Sequence, residues 1–160
     1  MSYRVDVGTT APDALFMPLE QGMQSRGGPF QIIDRVVVGD NPIVVGEAAC
    51  VTEDGIESII TATTPPRGIV VFSNVDPKIL NTDPPSYAPG MLAAMITSGC
   101  VQITAGEDVK AGDDVIIIKA TGKFSGTSAG AADGTARIAL PGAYWLNDVN
   151  ADEKGEINIK

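Results

Sequence analysis

From Phe30 onward the hydrophobic positions come in short runs separated by glycine, proline and acidic corners, the pattern of a chain that crosses a sheet many times. FQIIDRVVV opens the series. NPIVVGEAACVT follows, with Val44, Val45, Ala48, Cys50 and Val51 set among small residues suited to a packed sheet. Glu53-Asp54-Gly55 predicts a hairpin turn, and IESIITAT after it predicts a strand with Ile56, Ser58, Ile60 and Ala62 on one face and Glu57, Ile59 and Thr61 on the other. Pro65-Pro66-Arg67-Gly68 breaks the chain and GIVVFS restarts it. MLAAMIT and CVQITA predict a strand pair joined by a tight turn at Ser98-Gly99. Lys110-Ala111-Gly112-Asp113 predicts a turn before VIIIKAT, whose unbroken run from Val115 to Ile118 implies burial on both faces, by a second sheet on one side and a neighbouring subunit on the other. Short strands with turn signals every 8–12 residues or so predict an all-β fold: a single β-sandwich or barrel, jelly-roll-like in character.

Two segments depart from the pattern. Residues 1–30 show a period of neither 2 nor 3.6, carry Pro12, Pro18 and Pro29, and end near Gly27-Gly28, which predicts an extended N-terminal arm ahead of a β domain over residues 31–160. The arm's Leu15, Phe16, Met17, Leu19 and Met23 need a surface to pack on, either the core or another chain. Residues 73–90 hold Pro77, Pro84, Pro85 and Pro89, which cannot donate to a ladder; a long irregular loop is expected there, covered by another subunit, and Tyr87 becomes a candidate contact residue.

Charge narrows the partners. Eleven Lys and Arg against twenty Asp and Glu give a net charge of −9 and a pI near 4.3, without a basic cluster, which disfavours nucleic acid. The N-terminus lacks the basic start and apolar run of a signal peptide, and no apolar stretch approaches the ~20 residues that cross a bilayer, so a soluble protein with no membrane partner is expected. Cys50 and Cys100, each among apolar neighbours, read as two buried thiols in a reducing compartment.

Candidate chemistry is sparse. The chain has no histidine, which removes Ser-His and Cys-His nucleophile systems, the usual zinc sites and the commonest general base. Asp148, Asn150 and Asp152 take positions 1, 3 and 5 of a calcium loop, but Glu153 stands where glycine is needed and Ile159 where a bidentate glutamate belongs, so a polar hairpin is the better reading. Lys119, after VKAGDDVIII, sits where a carrier domain would present a modified lysine, yet lacks the acidic or methionine neighbours of such a hairpin. FSGTSAGAADGT has the glycines of a phosphate loop without its lysine or helix, and Asp133 would oppose an anion. Catalytic, cofactor and metal sites are therefore not expected. Trp145, after Pro141-Gly142 and Tyr144, reads as a core or subunit-interface plug and joins the candidate contact residues.

The order of elements in the second half resembles the head cement, or capsid decoration, proteins of tailed bacteriophages. The residues that carry the resemblance are Gly99, Val101 and Ile103; then Val109, Ala111, Gly112, Asp113 and Val115; then Thr121 to Phe124; and the closing Gly155-Glu156-Ile157. It spans residues 68–160, with NPIVVGEA upstream in keeping; the first 30 residues carry none of it. The resemblance implies a non-enzymatic virion protein on the outer capsid surface, made in the host cytoplasm, that bridges neighbouring major capsid proteins and stabilises the head against packaged DNA. Its partners would be the major capsid protein and copies of itself, a homotrimer in preference to a dimer. Another β-rich virion part, such as a head fibre base or tail protein, is the first alternative. A carboxylate-based enzyme acting on polysaccharide is the second, weakened by an aromatic content of 5% and a single tryptophan.

Overall fold

A computed structural model describes Gly22, residues 29–72 and residues 84–160, and these form an all-β fold. Eleven strands follow in order: β1 (Gln31–Val36), β2 (Ile43–Val44), β3 (Ala48–Val51), β4 (Ile56–Ser58), β5 (Pro66–Val71), β6 (Ser86–Tyr87), β7 (Leu92–Thr104), β8 (Asp114–Ile118), β9 (Lys123–Gly126), β10 (Arg137–Trp145) and β11 (Lys154–Ile159). Nine of them make one curled sheet in the order β4-β3-β5-β7-β11-β10-β8-β9, with β1 also on β7, and β2 and β6 form a separate ribbon.

The 13-residue β7 organises the fold. Its first half pairs with β5 and β1, from Val36 opposite Leu92 to Gln31 opposite Ser98, and its second half pairs with β11, from Lys154 opposite Thr104 to Ile159 opposite Gly99. The turn expected at Ser98-Gly99 is not there. Gly99 instead takes φ +121°, a conformation closed to most side chains, and a Cβ on it would lie 2.8 Å from Phe30 Cβ; the glycine kinks one continuous strand where it passes from one half of the sheet to the other.

The sheet folds on itself so that the larger core lies between its halves, with Ile69 and Ile96 from one side and Val101, Ile103, Val115 and Trp145 from the other. Strand alternation then turns Ala49, Val70 and Met95 to the other face of the first half, where Ile43, Val45 and Tyr87 of the β2–β6 region join them in a second core. Past Val36 the chain swings towards β4: Val37 bridges Ile56 in parallel, and Val38 N–H donates to the Ile56 carbonyl at 2.9 Å, nearly closing this half into a barrel.

The hairpin at Glu53-Asp54-Gly55 forms, with Thr52 N–H donating to the Gly55 carbonyl. The strand after it stops at Ser58, earlier than expected. Thr61 and Ala62 N–H both donate back to the Ser58 carbonyl, a turn that sends Ile59 and Ala62 into the larger core and leaves Ile60 outside. Val115, Ile116 and Ile117 are buried as expected, but within the single chain, so the second face of β8 needs no neighbouring subunit to cover it.

Candidate interaction surfaces

The candidate contact residues divide in two. Leu15, Phe16, Met17, Leu19 and Met23 lie outside the described residues. Tyr87 and Trp145 are described, and both are fully buried inside the chain. Tyr87 plugs the second core, its hydroxyl donating to the Val71 carbonyl at 2.8 Å; Trp145 ends β10 in the larger core, its Nε1–H donating to the Ser125 carbonyl at 2.9 Å. Each aromatic body fills core volume while its polar tip is satisfied by a backbone carbonyl, so neither has surface to offer a partner.

The polar residues singled out in the sequence are also occupied with structure. Asp148 accepts the Ala111 N–H at 2.8 Å, Asn150 donates to Glu153, and Asp152 faces Lys123 at 3.7 Å. The three candidate calcium ligands, all in the polar β10–β11 hairpin, thus serve three different neighbours. Among the described residues no group of three or more acidic or cysteine side chains is placed to hold a metal. Lys119 Nζ donates to the Ala62 carbonyl at 2.9 Å, tying β8 to the turn after β4. Burial pushes the Cys50 thiol up to about 11, keeping it protonated, while Cys100 donates weakly to Asn158 Oδ1.

The glycine-rich segment between β9 and β10 is held by carboxylates. Asp133 accepts backbone N–H groups of Arg137, Thr135 and Ala136, which pull its carboxyl down to about 2. Burial alone would raise Asp113, but hydrogen bonds from Ser128, the Lys110 N–H and Thr127 outweigh it and hold the carboxyl low. Beneath them Glu107 takes Ser125 Oγ and Arg137 Nη1, the latter at 3.0 Å, and both bonds keep it ionised; Arg137 also reaches the Gly130 carbonyl. Glu47 differs: burial raises its carboxyl, against hydrogen bonds from Ser58 Oγ and the Val44 N–H.

What remains for another molecule is surface. Five large apolar side chains stand exposed among the described residues, and four of them share the β1–β7 ribbon: Phe30 (51%), Ile32 (40%), Val36 (41%) and Leu92 (51%). Ile32 and Val36 lie opposite Ile96 and Leu92 in the register, hence on one face. Sequence reading missed this strip, although FQIIDRVVV supplies three of its four residues, with Asp34 between Ile32 and Val36 on the same face. Beside it, bordered by the opposite face of β1, runs a groove of about 680 Å³.

The described residues thus form an all-β domain in which Asp108, Asp113, Asp133 and Asp148 hold turns and four of the five exposed large apolar side chains share one ribbon. The sequence matches the family of structural cement proteins (E217 gp24/Pam3 gp6) over residues 13–160, and the chain belongs to that phage cement family. The match reaches back into the segment before residue 31, where the motifs had shown no likeness. No curated protein matches the chain. Among solved structures, a chain in the capsid of Myoviridae phage XM1 shares the fold, with TM-score 0.66 and 18% identity over 89% of this chain and 90% of that one. The head fibre gp8.5 N base of bacteriophage phi29 is a looser likeness, TM-score 0.43 and 14% identity over 82% and 95% of the two chains.

Proposed function

We propose that this chain binds the outer surface of an assembled phage head, bridges neighbouring major capsid proteins and stabilises the shell against the pressure of packaged DNA. The observation that carries the reading is the family match over nearly the whole chain. The arrangement of side chains supports it: four of the five large apolar side chains exposed among the described residues are gathered on one ribbon. A net charge of −9 turns the protein away from DNA and leaves its free face acidic, which keeps decorated particles apart.

The protein acts as a homotrimer on the shell, so that several modest contacts engage together and their combined strength exceeds any one of them. The arm over residues 1–30 supplies part of the attachment through Leu15, Phe16, Met17, Leu19 and Met23. Gly22 within this segment donates its N–H to the Gln102 carbonyl at 2.7 Å and is buried, so the useful truncation removes residues 1–21 and leaves Gly22 in place.

The test is light scattering on the purified protein, then cosedimentation with expanded heads that lack it. A trimer that saturates the heads at a lattice-defined stoichiometry supports the reading, and truncation of residues 1–21 should weaken attachment without unfolding the domain. Full-length protein that stays in the supernatant at saturating concentration refutes it.

A further inference from the structure

Among the described residues the outer edge of β1 is unpaired at Ile32 and Asp34, while past Val36 it meets Ile56 of β4. Val37 turns its N–H to Met91 and its carbonyl to Gly90, on the β7 side, whereas Val38 N–H and the Val36 carbonyl point away, the latter packed so closely that a Cβ on Gly55 would lie 2.1 Å from it. By the alternation of a strand, the N–H and carbonyl groups of Ile32 and Asp34 also face away from β7. Among the described residues no strand pairs with them there.

The two faces beside that edge differ in chemistry. On one lie the apolar Phe30 and Ile32, with Val36 and Leu92 beyond the exposed Asp34. On the other, Gln31 and Ile33 border the groove, which Val51, Arg67, Thr97 and Lys160 also line. No acidic side chain lines that groove, in a protein with nearly twice as many acidic as basic residues, and both Arg67 and Lys160 are exposed.

From this we infer that the β1 edge takes up an extended segment of the shell protein as an added strand, a segment whose side chains alternate between apolar and acidic. Main-chain hydrogen bonds to Ile32 and Asp34 hold it, its apolar side chains fall beside Phe30 and Ile32, and its carboxylates fall over the groove towards Arg67 and Lys160. The choice of occupant rests on the function proposed above and on charge: the groove carries Arg67 and Lys160 and no acidic side chain, which disfavours the acidic body of a second copy.

Two substitutions separate the parts of the idea. Ile32→Pro removes an N–H that faces away from β7, so the ladder to β7 keeps its bonds and only an added strand loses one. Arg67→Glu reverses the rim charge. Both variants should melt within a few degrees of wild type and bind heads about tenfold more weakly, the Arg67→Glu loss shrinking at high salt. A photoreactive residue at Gln31 should cross-link, on purified heads, to a shell-protein segment with apolar and acidic residues alternating.

If wild type binds heads and both variants bind equally well, the edge is not the attachment site, although the capsid reading stands. A Gln31 cross-link to a second copy or to the chain's own first 21 residues overturns the choice of partner. Should Ile32→Pro not fold, Arg67→Glu and the cross-link decide alone. Wild type that fails to bind heads removes both the function and this inference.

Discussion

Replacing Trp145 distinguishes a residue that holds the fold from one that holds a partner. The ring is fully buried in the core between the two halves of the sheet, and its Nε1–H donates to the Ser125 carbonyl at 2.9 Å. Truncation to alanine removes the largest buried side chain and leaves a cavity the surrounding strands fill only in part, a loss of about 3–5 kcal/mol. Trp145→Phe keeps most of the apolar volume but deprives the carbonyl of its donor, about 1–2 kcal/mol. For a chain of this size each kcal/mol lowers the melting temperature by roughly 2–4 °C, so the alanine variant should melt on the order of 10 °C lower and the phenylalanine variant should fall between. Circular dichroism is the readout, because the substitution removes the only tryptophan and its fluorescence. Head binding, measured below both transitions, should be unchanged. An alanine variant within about 1 kcal/mol of wild type, or one of full stability that no longer binds heads, would refute an interior role.

Glu47→Gln should stabilise the protein at neutral pH. Burial raises the folded-state carboxyl above its unfolded value, so ionisation opposes folding above the raised value and that penalty disappears as pH falls through it; the variant's advantage in urea unfolding should therefore vanish on acidification. Asp133 has the opposite sign: its folded value of about 2 lies below the unfolded one, so its contribution is present above the ordinary carboxylate range and lost as pH falls towards 2, and its carboxyl carbon should titrate near 2 by NMR. Arg137→Lys keeps the charge but cannot reach Glu107, Ser125 and the Gly130 carbonyl together, and should speed hydrogen exchange across residues 127–136 without changing global melting much. Gly55→Ala should destabilise by about 1–3 kcal/mol in denaturant titration, since its Cβ would collide with the Val36 carbonyl.

The strands with local turn chemistry at both ends were legible: Glu53-Asp54-Gly55 and Lys110–Asp113 mark their corners by residue type alone. Ser98-Gly99 carries the same chemistry and misleads, because a glycine needed for a kink inside a strand is indistinguishable from one needed for a turn. Ile60 and Ala62 read as strand because period-2 alternation survives in the first residues of a tight turn. Tyr87 and Trp145 drew attention as large aromatics beside proline, yet whether such a ring faces in or out depends on how far the sheet curls, which is set by pairings distant in sequence. The exposed strip had the complementary problem: FQIIDRVVV announces a strand, but only the topology leaves that strand at an edge.

β7 belongs to both halves of the sheet and crosses between them as unbroken covalent backbone. Most two-layer folds resist being drawn apart through side-chain packing, which yields once the layers slip. Here a load applied to β1 at one end and β11 at the other would run along the β7 main chain as tension, and the hydrogen bonds at each end would be sheared together instead of being unzipped one at a time. The molecule is in that respect a tie rod, with the kink at Gly99 as the point where it takes up slack.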